Sequence, residues 1–263
     1  MFDLNGIDDI ANGARLAELD KGKLRLIQRG LAICGQPIAE IDGEYGKNTQ
    51  TAWSGFLAER GMPPADTVVQ TARDALRDRA RRVAQVCGQP TPDSAAVKAS
   101  LKAVCIDMGL PLANQIAYVL ATTNWETAGT FKSVREAFWI KNAEDWRRRN
   151  LRYYPYYGRG YVQLTWERHY KFYGDVFGID LVAKPDEVMR HDMSAFVIVH
   201  GFKMGRFTGH KLVEFVSSTR NNFAAARACI NGTDHAADIA KLAQAYVSGA
   251  ASVAIAGKGT MIL

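Results

Sequence analysis

Cysteine and histidine are scarce in this chain, and long apolar runs are absent. Cys34, Cys87, Cys105 and Cys229 form no CxxC pair and have no short spacing to histidine. That argues against a zinc site and against a dense disulfide framework, and four buried thiols are expected. His169, His191, His200, His210 and His235 show no HExxH spacing, so no metal is expected, and nothing points to a cofactor. No run of about 18 apolar residues occurs, which excludes a membrane-spanning helix, and no stable membrane association is expected. The first twenty residues carry Asp3, Asp8, Asp9, Glu18 and Asp20. They have neither the cationic start nor the apolar core of a secretory signal. The chain is therefore expected to be made in a cytoplasm without a signal peptide, and to need outside help to leave it.

What is present is globular composition: 263 residues, 48% hydrophobic, 23% charged and 10% aromatic. There is enough apolar material to offset chain entropy, which excludes disorder as the main state. The net charge of +6 is unevenly placed. Residues 1–90 balance 12 basic against 12 acidic side chains, whereas residues 91–263 hold 21 against 15. A basic second part suits an anionic polymer, whether nucleic acid, membrane surface or bacterial wall. Nucleic acid is set aside, because Arg147-Arg148-Arg149 is the one dense basic run and reads as a solvated helix face.

The clearest punctuation is Gly88-Gln89-Pro90-Thr91-Pro92-Asp93, a linker or long turn. It divides the chain into a first domain, 1–88, and a second, 93–263. In the first, Leu24, Ile27, Leu31 and Cys34 recur at helical spacing, and the helix stops at Gly35. An Asp42-Gly43 turn follows, then Tyr45-Gly46. Thr49 is expected to cap a second helix whose apolar stripe, Ala52, Trp53, Phe56 and Leu57, ends near Gly61. Helix, glycine-rich turn, helix: residues 20–62 resemble the small peptidoglycan-binding domain attached to many wall hydrolases. Carbohydrate contact would come from exposed atoms around the turn. Residues 249–263 read as a loosely packed tail.

In the second part Ile116, Val119, Leu120 and Thr123 line one side of a helix over 114–126 that ends at Gly129. Glu126 projects from nearly the same face, so partial desolvation should keep a proton on it, as a general acid requires. Glu136, past the glycine break, can fold back to face it, and two carboxylates flanking a cleft are the minimum for glycosidic hydrolysis. From Gly160 the sequence alternates as a strand. Tyr161, Gln163 and Thr165 would face a cleft, and Val162, Leu164 and Trp166 a core. Glycines on both sides of Arg159 would let backbone approach the site closely.

Trp125-Glu126-Thr127-Ala128-Gly129, Val134-Arg135-Glu136 and Tyr157-Gly158-Arg159-Gly160-Tyr161-Val162-Gln163-Leu164-Thr165 occur in this order. Together with 178–186 and Asn231-Gly232, they resemble the family 19 glycoside hydrolases, which comprise chitinases and a branch of phage endolysins. The resemblance covers roughly residues 100–245. It implies a mainly α fold: a small three-helix wall-binding domain, then a lysozyme-like catalytic domain with a short β element. It implies inverting hydrolysis, with Glu126 as acid, Glu136 as base, and Thr165 positioning the water between carboxyls roughly 6.5–9.5 Å apart. It also implies substrate contacts from Gln163 and Asn231; Tyr161, Arg159 and His169 are further substrate-binding candidates. Trp125 stands where many members have His, and His169 stands where some have a sugar-contacting Asn. The stretch between the glutamates is shorter than in plant chitinases. A monomeric endolysin acting on peptidoglycan glycan strands in the wall, with holin-dependent release, is the leading expectation. A chitinase and a non-catalytic wall-binding protein are the alternatives.

Overall fold

In a computed structural model, residue 2 and residues 4–249 are described; the expected C-terminal tail lies almost wholly outside them. The described residues are mainly helical, as the sequence implies, with two small antiparallel β pairs. Two compact units form. One comprises Met1–Gln85 with Lys171–Asp180, the other Val86–Tyr170 with Leu181–Leu263.

In the first unit the short strand β1 (Ala14–Arg15) precedes helix α1 (Lys21–Ile33). Asp20 caps α1 by accepting a hydrogen bond from the Lys23 amide at 2.9 Å. The helix ends where Gly35 takes a left-handed φ of +75°. Helix α2 (Lys47–Glu59) buries Ala52, Trp53, Phe56 and Leu57, the expected stripe. Strand β2 (Thr67–Val68) pairs with β1, Ala14 opposite Val68, and helix α3 (Gln70–Cys87) follows. A side chain on Gly30 would touch Leu76 at 3.3 Å, so a glycine in mid-α1 allows α3 to approach closely.

Thr49 does not cap α2. The capping position is Gly46, and Thr49 lies inside the first turn, buried, with its hydroxyl accepting from Gln28 Nε2 at 3.1 Å. The reason is Gln28, a buried amide whose demands organise the whole turn. Its Nε2 also faces Asp42 Oδ1 at 2.8 Å and the Glu44 carbonyl at 3.1 Å, and its Oε1 accepts from the Gly43 amide at 2.8 Å. Gly43, at φ +76°, lies so close to the head of α1 that a Cβ would stand 2.5 Å from the Lys21 carbonyl oxygen. A depression of about 350 Å³ opens beside this turn, lined by Ile38, Glu40, Asp42, Tyr45, Lys47 and Asn48 among others.

The second unit begins after the Gly88–Asp93 break with α4 (Ser94–Asp107), which Asp93 caps through the Ala96 amide at 2.9 Å. Helix α5 (Ala113–Glu126) packs against α4 and, most extensively, against the last helix of the unit. Strand β3 (Val134–Arg135) and helix α6 (Ala143–Asn150) come next. Strand β4 (Arg159–Gly160) returns antiparallel to β3 and leads to α7 (Glu167–Phe177), whose residues from Lys171 onward belong to the first unit. The unit closes with α8 (His191–Met204) and α9 (Ala236–Val247). Helices α5 and α8 are buried over most of their length, α8 mainly through apolar side chains and α5 through apolar ones together with Gln115, Thr122 and Thr123. Tyr118 on α5 meets Phe202 of α8 edge-on at 5.6 Å and stacks on Phe223 at 6.0 Å. All four cysteines are buried as thiols.

Two expectations fail here. The alternating strand from Gly160 does not form: β4 stops at Gly160, and residues 161–163 turn back so that Leu164 bridges to Arg159. Gln163 and Trp166 take positive φ, +53° and +70°, which no strand tolerates. The basic run is also not one solvated face. Arg148 and Arg149 are exposed, but Arg147 is buried, donating to the Glu136 carbonyl at 2.6 Å and lying over the Tyr157 ring.

Replacing Gln28 with Leu would strand the Gly43 amide and remove the donor that Asp42, Glu44 and Thr49 share. A loss of about 2–4 kcal/mol is expected for several buried groups left unpaired. Urea unfolding followed through Trp53 fluorescence measures it, and an unchanged midpoint would show that the turn holds itself.

Candidate active site

Glu126 is the last residue of α5, and its side chain is 3% exposed. Its Oε1 accepts from Arg227 Nη1 at 2.9 Å, and that guanidinium is equally buried. Burial holds the Glu126 carboxyl above its ordinary range, Arg227 opposes this, and the charge of Glu136 adds to the rise. Oε2 takes no hydrogen bond among the described residues. Helix α5 ends just beyond, with Thr127 Oγ1 donating to the Thr123 carbonyl and accepting from the Phe131 amide, and Gly129 at φ +77°.

Glu136 is held quite differently. It follows β3 directly and is half-buried, and each of its oxygens meets a protein donor. Tyr153 Oη donates to Oε1 at 2.8 Å, and the Gly158 amide donates to Oε2 at 2.7 Å. Its own amide donates to the Gly158 carbonyl at 2.7 Å. A Cβ on Gly158 would lie 2.8 Å from Gln163 Oε1 and 3.2 Å from Glu136 Oε2, so a side chain there would displace the ends of both.

The remaining expected residues occupy varied positions. Arg159 is an internal post. Nε donates to Asp186 Oδ1 at 2.6 Å, and Nη1 donates to the carbonyls of Pro155 and Tyr157 and to Tyr170 Oη. Its guanidinium lies 3.6 Å from the Tyr157 ring centroid. Tyr161 is 3% exposed rather than facing an open cleft, and its hydroxyl pairs with His191 Nδ1 at 2.8 Å. Burial pushes that hydroxyl up to about 12. Gln163 Nε2 donates to the carbonyls of Val134 and Gly160, while its Oε1 is buried without a partner. Thr165 is half-buried, and its hydroxyl makes no hydrogen bond among the described residues. Asn231 is exposed, with its amide bonded to the Arg227 carbonyl, which ties it to the residue that pairs with Glu126. His169 is buried, with Nδ1 on the Thr165 carbonyl at 2.9 Å.

Sequence reasoning missed Arg227, Tyr153 and Asp186. Arg227 pairs across 101 residues of chain, and no spacing rule announces it. Tyr153 lies in the run Tyr153-Tyr154-Pro155-Tyr156-Tyr157, and nothing in that run singles it out as the donor to Glu136. Asp186 solves a problem created by the strands: Arg135 and Arg159 are direct cross-strand partners, and like charges so placed repel. Asp186 accepts from both, at 2.8 and 2.6 Å, and its carboxyl is held below the ordinary range by Arg135 and Arg159. Among the described residues no three His, Cys, Asp or Glu side chains are grouped as a metal ion would need.

Over 42 residues the chain is 50% identical to Chitinase 11 of Oryza sativa subsp. japonica. The match covers 16% of this chain and 16% of that protein. No family model matches, and no solved structure matches.

Burial pushes His169 down to about 4, with the Arg168 charge adding to the effect. Its ring is thus neutral in the fold, whereas in the unfolded chain it takes up a proton near 6.5. The unfolded state gains that proton first as pH falls, so stability is lost between about pH 6.5 and 4, by roughly 2–4 kcal/mol. Melting temperatures at pH 7 and pH 5 for wild type and His169→Gln check this. The variant should lose clearly less on acidification, and equal losses would show the ring is protonated in the fold.

Proposed function

We propose that this chain hydrolyses the β-1,4 glycosidic bond between N-acetylmuramic acid and N-acetylglucosamine in peptidoglycan, with inversion at the anomeric carbon. The observation that carries the reading is the unlike treatment of two carboxyls in one electrostatic neighbourhood. Burial favours a proton on Glu126, and two fixed donors aim Glu136. In this reading Glu126 gives its proton to the glycosidic oxygen as the bond breaks. Arg227 then stabilises the carboxylate left behind, an interaction that strengthens as the charge develops. Glu136, with lone pairs to spare on both oxygens, orients and deprotonates a water on the opposite face of the sugar. The Thr165 hydroxyl, having no protein partner, is available to that water.

The partial likeness to a rice chitinase supports a glycoside hydrolase in general. It equally favours a second reading, hydrolysis of chitin, the related polymer without the lactyl-peptide. The basic charge of the second part and the turn-lined depression of the first unit favour peptidoglycan. Under that reading the first unit binds the wall, and the chain is a monomeric endolysin, made in the cytoplasm and released by a holin.

Digestion of purified peptidoglycan, with mass spectrometry of the new reducing ends, tests the bond. Muramic acid ends are expected. Glucosamine ends would indicate a glucosaminidase, and cleavage of chitin alone would establish the second reading. Glu126→Gln keeps the shape of the acid without its proton, so turnover should fall at least about 100-fold. Activity within a few-fold of wild type would place the acid elsewhere.

A further inference from the structure

Arg227 reaches Glu126 from a short helical turn, Ala225–Cys229, and its aim depends on what holds its other end. Nε donates to the Asp234 carbonyl at 3.0 Å, while Nη1 donates to Glu126. The guanidinium therefore spans a backbone carbonyl and a buried carboxylate. The next residue, His235, caps α9 with a left-handed φ of +55°, a conformation unusual for a residue other than glycine. Its ring packs against Trp125 with centroids 4.7 Å apart and the planes tilted by 38°, and Trp125 is the neighbour of Glu126 on α5. Among the described residues His235 Nε2 is buried without a hydrogen-bond partner, and Nδ1 reaches Asp238 only at 3.7 Å. A ring placed for hydrogen bonding would not leave a dry nitrogen unpaired, since that carries a desolvation cost. Its placement answers instead to the contact with the Trp125 ring.

We propose that His235 is a positioning residue for Glu126: packed against the Trp125 ring, it fixes the Asp234 carbonyl that aims Arg227 at the Glu126 carboxylate. The chain of contacts closes on itself, because Trp125 and Glu126 leave the same helix end, and Asp234 and His235 share a peptide unit. Loosening the ring contact frees that carbonyl, and the guanidinium then loses one of its two anchors. Glu126 is left with less opposing charge and holds its proton to higher pH. Arg227, His235, Glu136 and Tyr118 are the titratable groups whose charges bear on it. The consequence for turnover rests on the glycosidase reading; the geometry does not.

The test uses the full chain, free of substrate, with glutamate carboxyl carbons labelled for NMR. The Glu126 signal is identified by its loss in Glu126→Gln. In His235→Ala its titration midpoint should rise by at least about half a unit. In His235→Phe, which keeps the ring contact and discards both nitrogens, the midpoint should rise clearly less than in His235→Ala, the small remainder being the lost histidine charge. Trp125→Ala removes the ring contact from the other side and should raise the midpoint as His235→Ala does, which serves should that variant not fold. An unmoved midpoint in the alanine variants, with or without a lower melting temperature, overturns the proposal. So does a shift in His235→Phe as large as in His235→Ala, which would assign the effect to the histidine charge. Because no substrate is involved, a protein inactive on peptidoglycan would leave the result readable.

Discussion

A carboxyl at the buried end of an apolar helix is the constraint around which the second unit is arranged. Taking a charged carboxylate out of water costs several kcal/mol unless a partner compensates, so Glu126 must either keep a proton or find a cation. It does some of each. Burial favours the protonated form, and Arg227 favours the ionised one. The helix end adds to the first tendency, since backbone carbonyls point the negative end of the helix dipole at the side chain. The partner comes from a short helical turn far along the chain, so the ion pair closes only once α9 and the segment before it have packed against α5.

Glu136 solves the complementary problem with little burial. A phenol and a backbone amide fix it, and Arg147 holds its carbonyl from below. Those donors come from one short stretch, 147–158, that folds over the end of β3. An arginine ladder braces the stretch: the Tyr157 ring is in contact with the guanidinium groups of both Arg147 and Arg159. Cation–π contacts of this kind gain strength when desolvated, and both arginines are buried. The two carboxyls therefore differ through their surroundings alone.

Much of this was legible in the sequence, and the failures share a cause. The helical stripes of α1, α2 and α5, the break at 88–93 and the buried end of α5 all follow from local periodicity and from Gly, Pro and Asp punctuation. Thr49 failed because a buried Gln28, fifteen residues before Gly43, claimed its hydroxyl and shifted the cap to Gly46. The strand after Gly160 failed because alternation describes side-chain character and says nothing about φ, and Gln163 and Trp166 turn left-handed. Arg147 failed because two neighbours of the same type are exposed, and only the fold shows which of three arginines points inward. In each case what the fold demanded of a side chain or of the backbone overrode a local pattern.

The same reasoning explains why the Gly158-Arg159-Gly160-Tyr161 string is so distinctive. Each residue answers an internal demand. Gly158 leaves room for its amide to reach Glu136, since any Cβ would strike Gln163. Arg159 props the turn from inside with four acceptors, one of them the Asp186 carboxylate that it shares with Arg135. Gly160, at φ +82°, lies where a Cβ would stand 2.6 Å from Ser194 Oγ, so α8 can approach the strand only over a bare backbone. Tyr161 then buries its ring and passes its hydroxyl to His191, which in turn meets Ser100 on α4. Four successive residues thus anchor one tight turn to three different helices and to Glu136. Substituting any of them moves the carboxylate before it touches a substrate contact. The string reads as a binding motif by its polarity, yet its geometry is that of a mount for Glu136.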